Sequence, residues 1–254
     1  MPKIPIYTIQ FLDIPFNERD QQIDAERNLF LDFITKHVFE IALKNQPLFK
    51  AVNCDAEYFH DDRDYQNKVP KIINCFIKDE VLTLRAYTKK GIKTLKFWYR
   101  LYKEIHPENC ENVRFSKESY QFKAEESLLH HYTSNNWIAF DNVKFNDKHY
   151  FENGKPANFE SKLIGHIRTF LEDIGIDNAK FPFKIKLKQI PICHNTLTAL
   201  KTNKNGAINK VTQLSFDIQF STNYALPALF SLGRKKAYGN GVFIKKFTKI
   251  IGEV

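Results

Sequence analysis

Negative charge is scarce at one end of this chain. From Lys180 to the C-terminus only Asp217 and Glu253 are acidic, against 13 lysines and arginines. Cysteine is sparse too. Cys54, Cys75, Cys110 and Cys193 are widely spaced and form no CxxC pair, which argues against a zinc ribbon or a disulfide framework. They read as buried thiols in a reducing cytoplasm. No HExxH, Walker loop or clustered Asp/Glu set occurs, so the expectation is chemistry without a metal or other cofactor. No stretch approaches the roughly 18–20 apolar residues that span a bilayer, and the N-terminus has no signal-peptide core. The expected setting is therefore the cytoplasm, with no membrane partner. What is abundant is aromatic: 23 phenylalanines in a chain of 254 residues, 43% of it hydrophobic, enough to fill a real core.

The charge is segregated. Residues 1–113 hold 17 cations and 17 anions, whereas residues 114–254 hold 21 cations and 12 anions, and so the whole net charge of +9. A one-sided field of this kind concentrates polyanions. The basic segments are not amphipathic helices, so nucleic acid is the better partner than an anionic membrane.

The first half reads as strand, helix, strand, strand, helix, strand. Ile4–Leu12 is the first strand. A helix follows from Gln21 to Leu43, with Ile23, Phe30, Ile34, His37 and Ile41 on one face. Asn53–Lys68 is polar and reads as a loop. Lys71–Ile77 and Val81–Tyr87 form a hairpin around Lys78-Asp79-Glu80, a second helix covers Lys90–Ile105, and Asn112–Phe122 supplies the last strand. The order is that of a βαββαβ unit.

The pattern then begins again. Trp137–Phe140 is strand-like and Asn158–Ile174 helical. Lys180–Ile190 alternates, with Phe181, Phe183, Ile185 and Leu187 on one face and Lys184, Lys186 and Lys188 on the other. The lysine row suits either a phosphate track or an edge strand protected against aggregation. Leu214, Phe216, Ile218 and Phe220 alternate likewise. The intervening Cys193–Lys210 segment reads as an exposed loop carrying Lys201, Lys204 and Lys210. The expected fold class is α+β, two tandem ferredoxin-like (βαββαβ, RRM-like) domains, 1–113 and 114–254.

The densest motif closes the chain: Leu232-Gly-Arg-Lys-Lys-Ala-Tyr-Gly-Asn-Gly-Val-Phe243. Gly233, Gly239 and Gly241 permit positive φ, and amides freed in such a loop can line an anion-binding concavity. Arg234, Lys235 and Lys236 suit a phosphate, and Tyr238 offers a ring for a base. A basic surface turn is the plainer reading.

The segment from Phe220 to Phe243 resembles the closing signature of the CRISPR-associated repeat-processing endoribonucleases, the Cas-six group of the RAMP superfamily. That signature is approximately G-x-G-x(5)-G-x-G. Gly233, Gly239 and Gly241 match its last three glycines, and Ser231 stands where the first would be. Val69–Ile73, Gly91–Leu95 and Ile164–Leu171 resemble other parts of the same group. The resemblance implies two tandem ferredoxin-like domains and a metal-independent reaction. The 2′-hydroxyl attacks the adjacent phosphate and expels the 5′-oxygen, leaving a 2′,3′-cyclic phosphate and a 5′-hydroxyl. It implies precursor CRISPR repeat RNA as partner, with other Cas effector subunits as further ones, and leaves monomer or homodimer open.

Such chemistry needs an acid and a base, commonly in or after the first helix of this group. His60 lies in the loop Tyr58-Phe-His-Asp-Asp-Arg-Asp-Tyr65, near carboxylates that favour its protonated form. It is the first catalytic candidate or else an ordinary loop histidine. His37 is the second, with a packed core role as its other reading. Tyr58, Tyr65 and Lys68 are supporting candidates. His106 reads as a helix cap, and His130 and His131 lie in a polar stretch. The alternative to an endoribonuclease is a non-catalytic RNA-binding RAMP protein, a crRNA-holding subunit or a degenerate processing enzyme.

Overall fold

The computed structural model describes residues 3–14, 23–59, 70–125, 127–140, 145–146, 151–152, 155–177, 181–202, 206–233, 236 and 239–250. The fold is α+β and its sheets are antiparallel. Strand β1 (Ile4–Phe11) is apolar on both sides, and six of its eight residues are buried. Buried on both faces, it takes an inner place in a four-stranded sheet of order β2-β3-β1-β4, where β2 is Ile73–Lys78, β3 is Val81–Tyr87 and β4 is Val113–Tyr120. The two residues between β2 and β3, Asp79 and Glu80, both have positive φ (50° and 62°). That is the backbone of a two-residue hairpin turn whose twist matches its strands.

Helix α1 (Ile23–Phe33) continues through a π-helical turn, Ile34–Phe39, into Glu40–Lys44. Helix α2 (Thr88–Ile105) packs beside it on the same sheet face. Phe11, Phe30, Phe33, Trp98 and Tyr102 form the centre of this first core. The expected boundary at residue 113 falls at the start of β4, which pairs with β1 through Tyr120, so the first sheet runs past it.

The second sheet is built from β5 (Leu128–Trp137), β6 (Ile185–Leu187), β7 (Ile192–Thr202), β8 (Ile208–Thr222), β9 (Leu229–Ser231) and β10 (Val242–Ile250). Its order is β6-β8-β5-β10-β9, with β7 paired to β8. Helix α3 (Phe159–Asp173) begins at Asn158, whose side chain caps it by accepting from the Ser161 amide. It covers one face with Leu163, Ile167, Phe170 and Leu171. The first unit has α1 with its continuation to Lys44, a short helix at Gln46–Ala51, and α2. The second has one helix among the described residues: between β8 and β10 the chain runs through short strands and the glycine segment.

The expected exposed loop at Cys193–Lys210 is instead a long hairpin arm, β7 against β8, from Ile192↔Asp217 to Thr202↔Ile208. Leu197 is buried in the first core and Leu200 packs against it, which ties the arm to the first unit. The traffic runs both ways, since Ile4, Ile6 and Tyr87 of the first sheet pack in the second core. Tyr87 also donates to the Leu229 carbonyl at 2.9 Å. Burying such side chains is worth about 1.5–3 kcal/mol each, so the two units stabilise one another. None of the four cysteines is in a disulfide; three are buried and Cys193 is half-buried. No helix is long and apolar enough to cross a membrane among the described residues.

Candidate nucleic-acid interface and imidazole pair

The glycine segment is folded into the protein. Gly233, Gly239 and Gly241 have φ of 88°, 71° and 60°, and each is pressed against a neighbour where a side chain would begin. A Cβ on Gly241 would stand 1.9 Å from the Leu232 carbonyl oxygen, and one on Gly239 would stand 2.7 Å from the Phe30 ring of α1. At Gly233 the obstacle is the Ile138 carbonyl oxygen, at 2.6 Å. The amide of Gly239 donates to the Lys236 carbonyl at 3.2 Å, and that of Gly241 to Asn136. Two of the amides expected to cradle an anion are thus used within the protein. The glycines serve close approach of chain to chain.

Lys236 departs from expectation in the same way. It is 6% exposed, and its ammonium donates to Asp173, at the end of α3, at 2.9 Å. Arg27 of α1 reaches across with Nε donating to the Leu197 carbonyl and Nη2 to the Asn240 side chain, both at 3.0 Å. Burial lowers the pKa of this guanidinium to about 10, which still leaves it charged at neutral pH. The loop is therefore clamped between α1, α3 and the end of β5. Arg234, Lys235 and Tyr238 lie outside the described residues, as do Lys204, His60, Tyr65 and Lys68.

Lys184, Lys186 and Lys188 are all exposed on and beside β6, while Phe181, Phe183, Ile185 and Leu187 pack toward the second core. Successive lysines on one strand face are about 6.6 Å apart. Lys201 and Lys210 are exposed on the β7–β8 arm, where Lys201 faces Asn209 and Lys210 faces Leu200. The row and the arm belong to one sheet.

The first unit contributes titratable groups. His37, in the π-helical turn, places Nδ1 3.3 Å from Nε2 of His106, and His106 places Nδ1 3.3 Å from Glu108 Oε1. Phe33 stacks on His37 and Tyr102 lies under His106, each ring one helical turn before its histidine. His37 is half-buried and His106 is 27% exposed. Burial first, and the charge of His106 second, lower the pKa of His37. The bonding order follows from what each atom can do. Glu108 accepts from His106 Nδ1–H, His106 Nε2 accepts from His37 Nδ1–H, and a lone pair is left on His37 Nε2. That is the form of imidazole that takes a proton.

The sequence reading paired His37 with nothing and treated His106 as a cap. The available signal was an aromatic–histidine pair at i, i+4 near the end of each helix, Phe33/His37 and Tyr102/His106, on helices expected to share a sheet face. Tyr58 lies between the two cores and packs against both. Burial, with Asp55 and Cys54 adding to it, raises its pKa and keeps its hydroxyl protonated. His131 sits on β5, a strand the sequence reading missed. His166 accepts from the Trp137 indole N–H at 3.1 Å.

An α+β chain with two antiparallel sheets, one long hairpin arm and a glycine loop clamped between its halves has the fold of the Cas6-type CRISPR RNA processing proteins. Its fold matches the crystal structure of the CRISPR RNA processing endoribonuclease Cas6b over 96% of this chain and 100% of that one, with a TM-score of 0.53 at 16% identity. A second Cas6b structure matches over 96% and 100% with a TM-score of 0.53 at 18% identity. Csf5, a CRISPR-Cas type IV Cas6 crRNA endonuclease, matches over 97% and 100% with a TM-score of 0.57 at 10% identity. No family model matches the chain, and no curated protein sequence matches it.

Proposed function

We propose that this protein is a metal-independent endoribonuclease of the Cas6 type that cuts precursor CRISPR RNA within its repeats and binds the repeat. In this reading the two sheets are tandem ferredoxin-like domains, the second having exchanged one helix for the glycine loop. The observation that carries it is the His37–His106–Glu108 chain, which leaves His37 Nε2 ready to accept a proton. His37 removes the 2′-hydroxyl proton, the 2′-oxygen bonds to phosphorus, and the bond from phosphorus to the 5′-oxygen breaks. A proton donor returns hydrogen to that oxygen. The products are a 2′,3′-cyclic phosphate and a 5′-hydroxyl. Tyr58 is the donor candidate among the described residues. His60, Tyr65 and Lys68 stand as the further candidates of the neighbouring loop.

His106 is a positioning residue, holding the tautomer of His37, and Glu108 offsets the charge that develops on the pair. Lys184, Lys186, Lys188, Lys201 and Lys210, with Arg234, Lys235, Lys204 and Tyr238, supply the RNA contacts. Lys236, Gly233, Gly239 and Gly241 shape the loop that presents them.

The test is cleavage of a repeat-containing RNA in EDTA, with a matched substrate carrying 2′-deoxyribose at the cut. The all-ribose RNA is cut and the deoxy substrate is not. Equal cutting of both overturns the mechanism. His37→Ala slows cleavage by about 10²–10⁴-fold while RNA affinity holds. If His60→Ala has that effect and His37→Ala does not, the base belongs to the loop. Tight binding by the unaltered protein with no cleavage makes it an RNA-binding RAMP protein instead.

A further inference from the structure

The face of the second sheet opposite α3 carries features that the cleavage chemistry does not use. Tyr132 of β5 points into the core with α3, so its neighbour His131 points to the opposite face. The strand registers join Lys186 to Ser221, Ser221 to His131, and His131 to Phe247. One rung across four strands therefore runs from a lysine to a phenylalanine, about 14 Å at ordinary strand spacing. Phe247 is 50% exposed, and its ring stacks on His131 with centroids 4.2 Å apart and planes 27° from parallel. Lys188 holds its ammonium 4.9 Å from the Phe247 centroid. Thr133, Gln219 and Lys246 complete a shallow pocket around these three side chains. Neither ring nitrogen of His131 has a hydrogen-bond partner, although both are shielded from solvent.

An aromatic ring left half bare on an open sheet, with an ammonium over its face, presents stacking area and positive charge together. A single exposed ring needs no explanation by itself; the stacked imidazole beneath this one and the ammonium above it single it out. A purely apolar docking face would not carry Lys188, Lys246 and Lys249 beside its ring and Lys186 and Lys184 farther along the sheet, all of them exposed. Aromatic rings with surrounding cations match one chemistry well: an unpaired nucleotide, whose base stacks while its phosphates meet ammonium groups.

We propose that this face, which carries the Lys184, Lys186 and Lys188 row, is an RNA track that takes a single-stranded segment of the RNA rather than the bond that is cut. A base stacks on Phe247, which His131 backs from beneath. The Lys188 ammonium moves from the ring to the adjoining phosphate, and Lys186 and Lys184 carry the chain toward the β6 edge. This rests on the RNA-binding reading above and adds to it a place and a ligand class.

The probe is a fluorescein-labelled oligouridylate of about twelve nucleotides, titrated by anisotropy against the full chain at several salt concentrations. Phe247→Ala weakens binding by about 5- to 150-fold, the worth of one stacked base, and Phe247→Trp restores it. Phe247→Ala leaves the dependence of log affinity on log salt unchanged, whereas Lys188→Gln lowers that slope by about 0.7. Matching melting temperatures for the variants exclude misfolding. Tight, salt-dependent binding of the oligouridylate that is indifferent to Phe247→Ala overturns this track and leaves the RNA-binding reading intact. If neither the oligouridylate nor a repeat RNA binds the unaltered protein, the RNA-binding reading fails and the track with it.

Discussion

The two large sheets differ in size and in what covers them. In the first, α1 and α2 both lie on one face, cations and anions balance, and the titratable centre sits where those helices end. In the second, α3 is the one helix among the described residues; where α2 lies between β3 and β4 of the first, a segment with three positive-φ glycines lies between β8 and β10. All of the net positive charge lies on that side of the chain. A helix holds its own backbone by internal hydrogen bonds; a loop must find partners elsewhere. Here they come from Asn136, Arg27, Asp173 and the Phe30 ring. The loop therefore ties the second unit to the first, as the joint between an imidazole-bearing half and a lysine-bearing one.

The strongest way to break that joint is Gly241→Ala. The added carbon would meet the Leu232 carbonyl at 1.9 Å on a backbone already at φ 60°. Overpacking and left-handed strain together cost about 3 kcal/mol or more. Gly206→Ala is the control. Its φ is 78° but a Cβ there meets nothing within 4 Å, so only the strain applies, about 1–2 kcal/mol. Urea unfolding of both variants separates crowding from conformation. Equal losses would mean that the loop is not clamped.

Lysine offers the next comparison, one residue type in two settings. Lys236→Met removes the partner of Asp173 and leaves a carboxylate whose side chain is 15% exposed, a loss of about 3 kcal/mol of stability. Adding Asp173→Leu recovers most of it, because the stranded charge goes too. Replacing Lys184, Lys186 and Lys188 together by Gln leaves the urea midpoint almost unmoved, since exposed charges contribute little. It instead lowers the salt slope of RNA binding by about 2. If the triple variant lost stability and kept its slope, the row would be structural.

How much of this was legible beforehand depended on the range of the contacts. Periodicity gave β1, the β2–β3 hairpin and α2 nearly residue for residue, because each is dictated by neighbours close in sequence. Asn158 before an apolar-periodic run marked the start of α3 for the same reason. The β7–β8 arm was misread as loop because its polar face is lysine, threonine and asparagine. Its one deep anchor, Leu197, is buried against a helix some 170 residues away, where it accepts from Arg27. Strand β5 was missed because His130, His131, Ser134 and Asn135 hide its alternation, and β10 because its exposed lysines do. In the candidate site the glycines were visible as a motif, yet their use was not. A sequence shows that glycine is required at a position without showing whether RNA or a carbonyl oxygen makes the close approach.

The smallest expected effect concerns acid. His37, His130 and His131 all have pKa values lowered by burial, with nearby positive charge adding to each: His106 for the first, Lys245 for the second and Lys188 for the third. A histidine that is harder to protonate when folded binds more protons unfolded. It therefore contributes stability that is fully present above its unfolded pKa, near 6.5, and lost as pH falls toward the lowered folded value. Two of the three lie side by side on β5, so the second unit should be the more acid-sensitive. Urea midpoints measured between pH 7.5 and pH 5 should decline, and His131→Phe should flatten the decline by removing one titrating ring while keeping a stack on Phe247. His37→Phe should flatten it as well. An unaltered slope in His131→Phe would mean that this imidazole is as easily protonated in the folded chain as in the unfolded one, and that the open sheet face is wetter than its unpartnered nitrogens indicate.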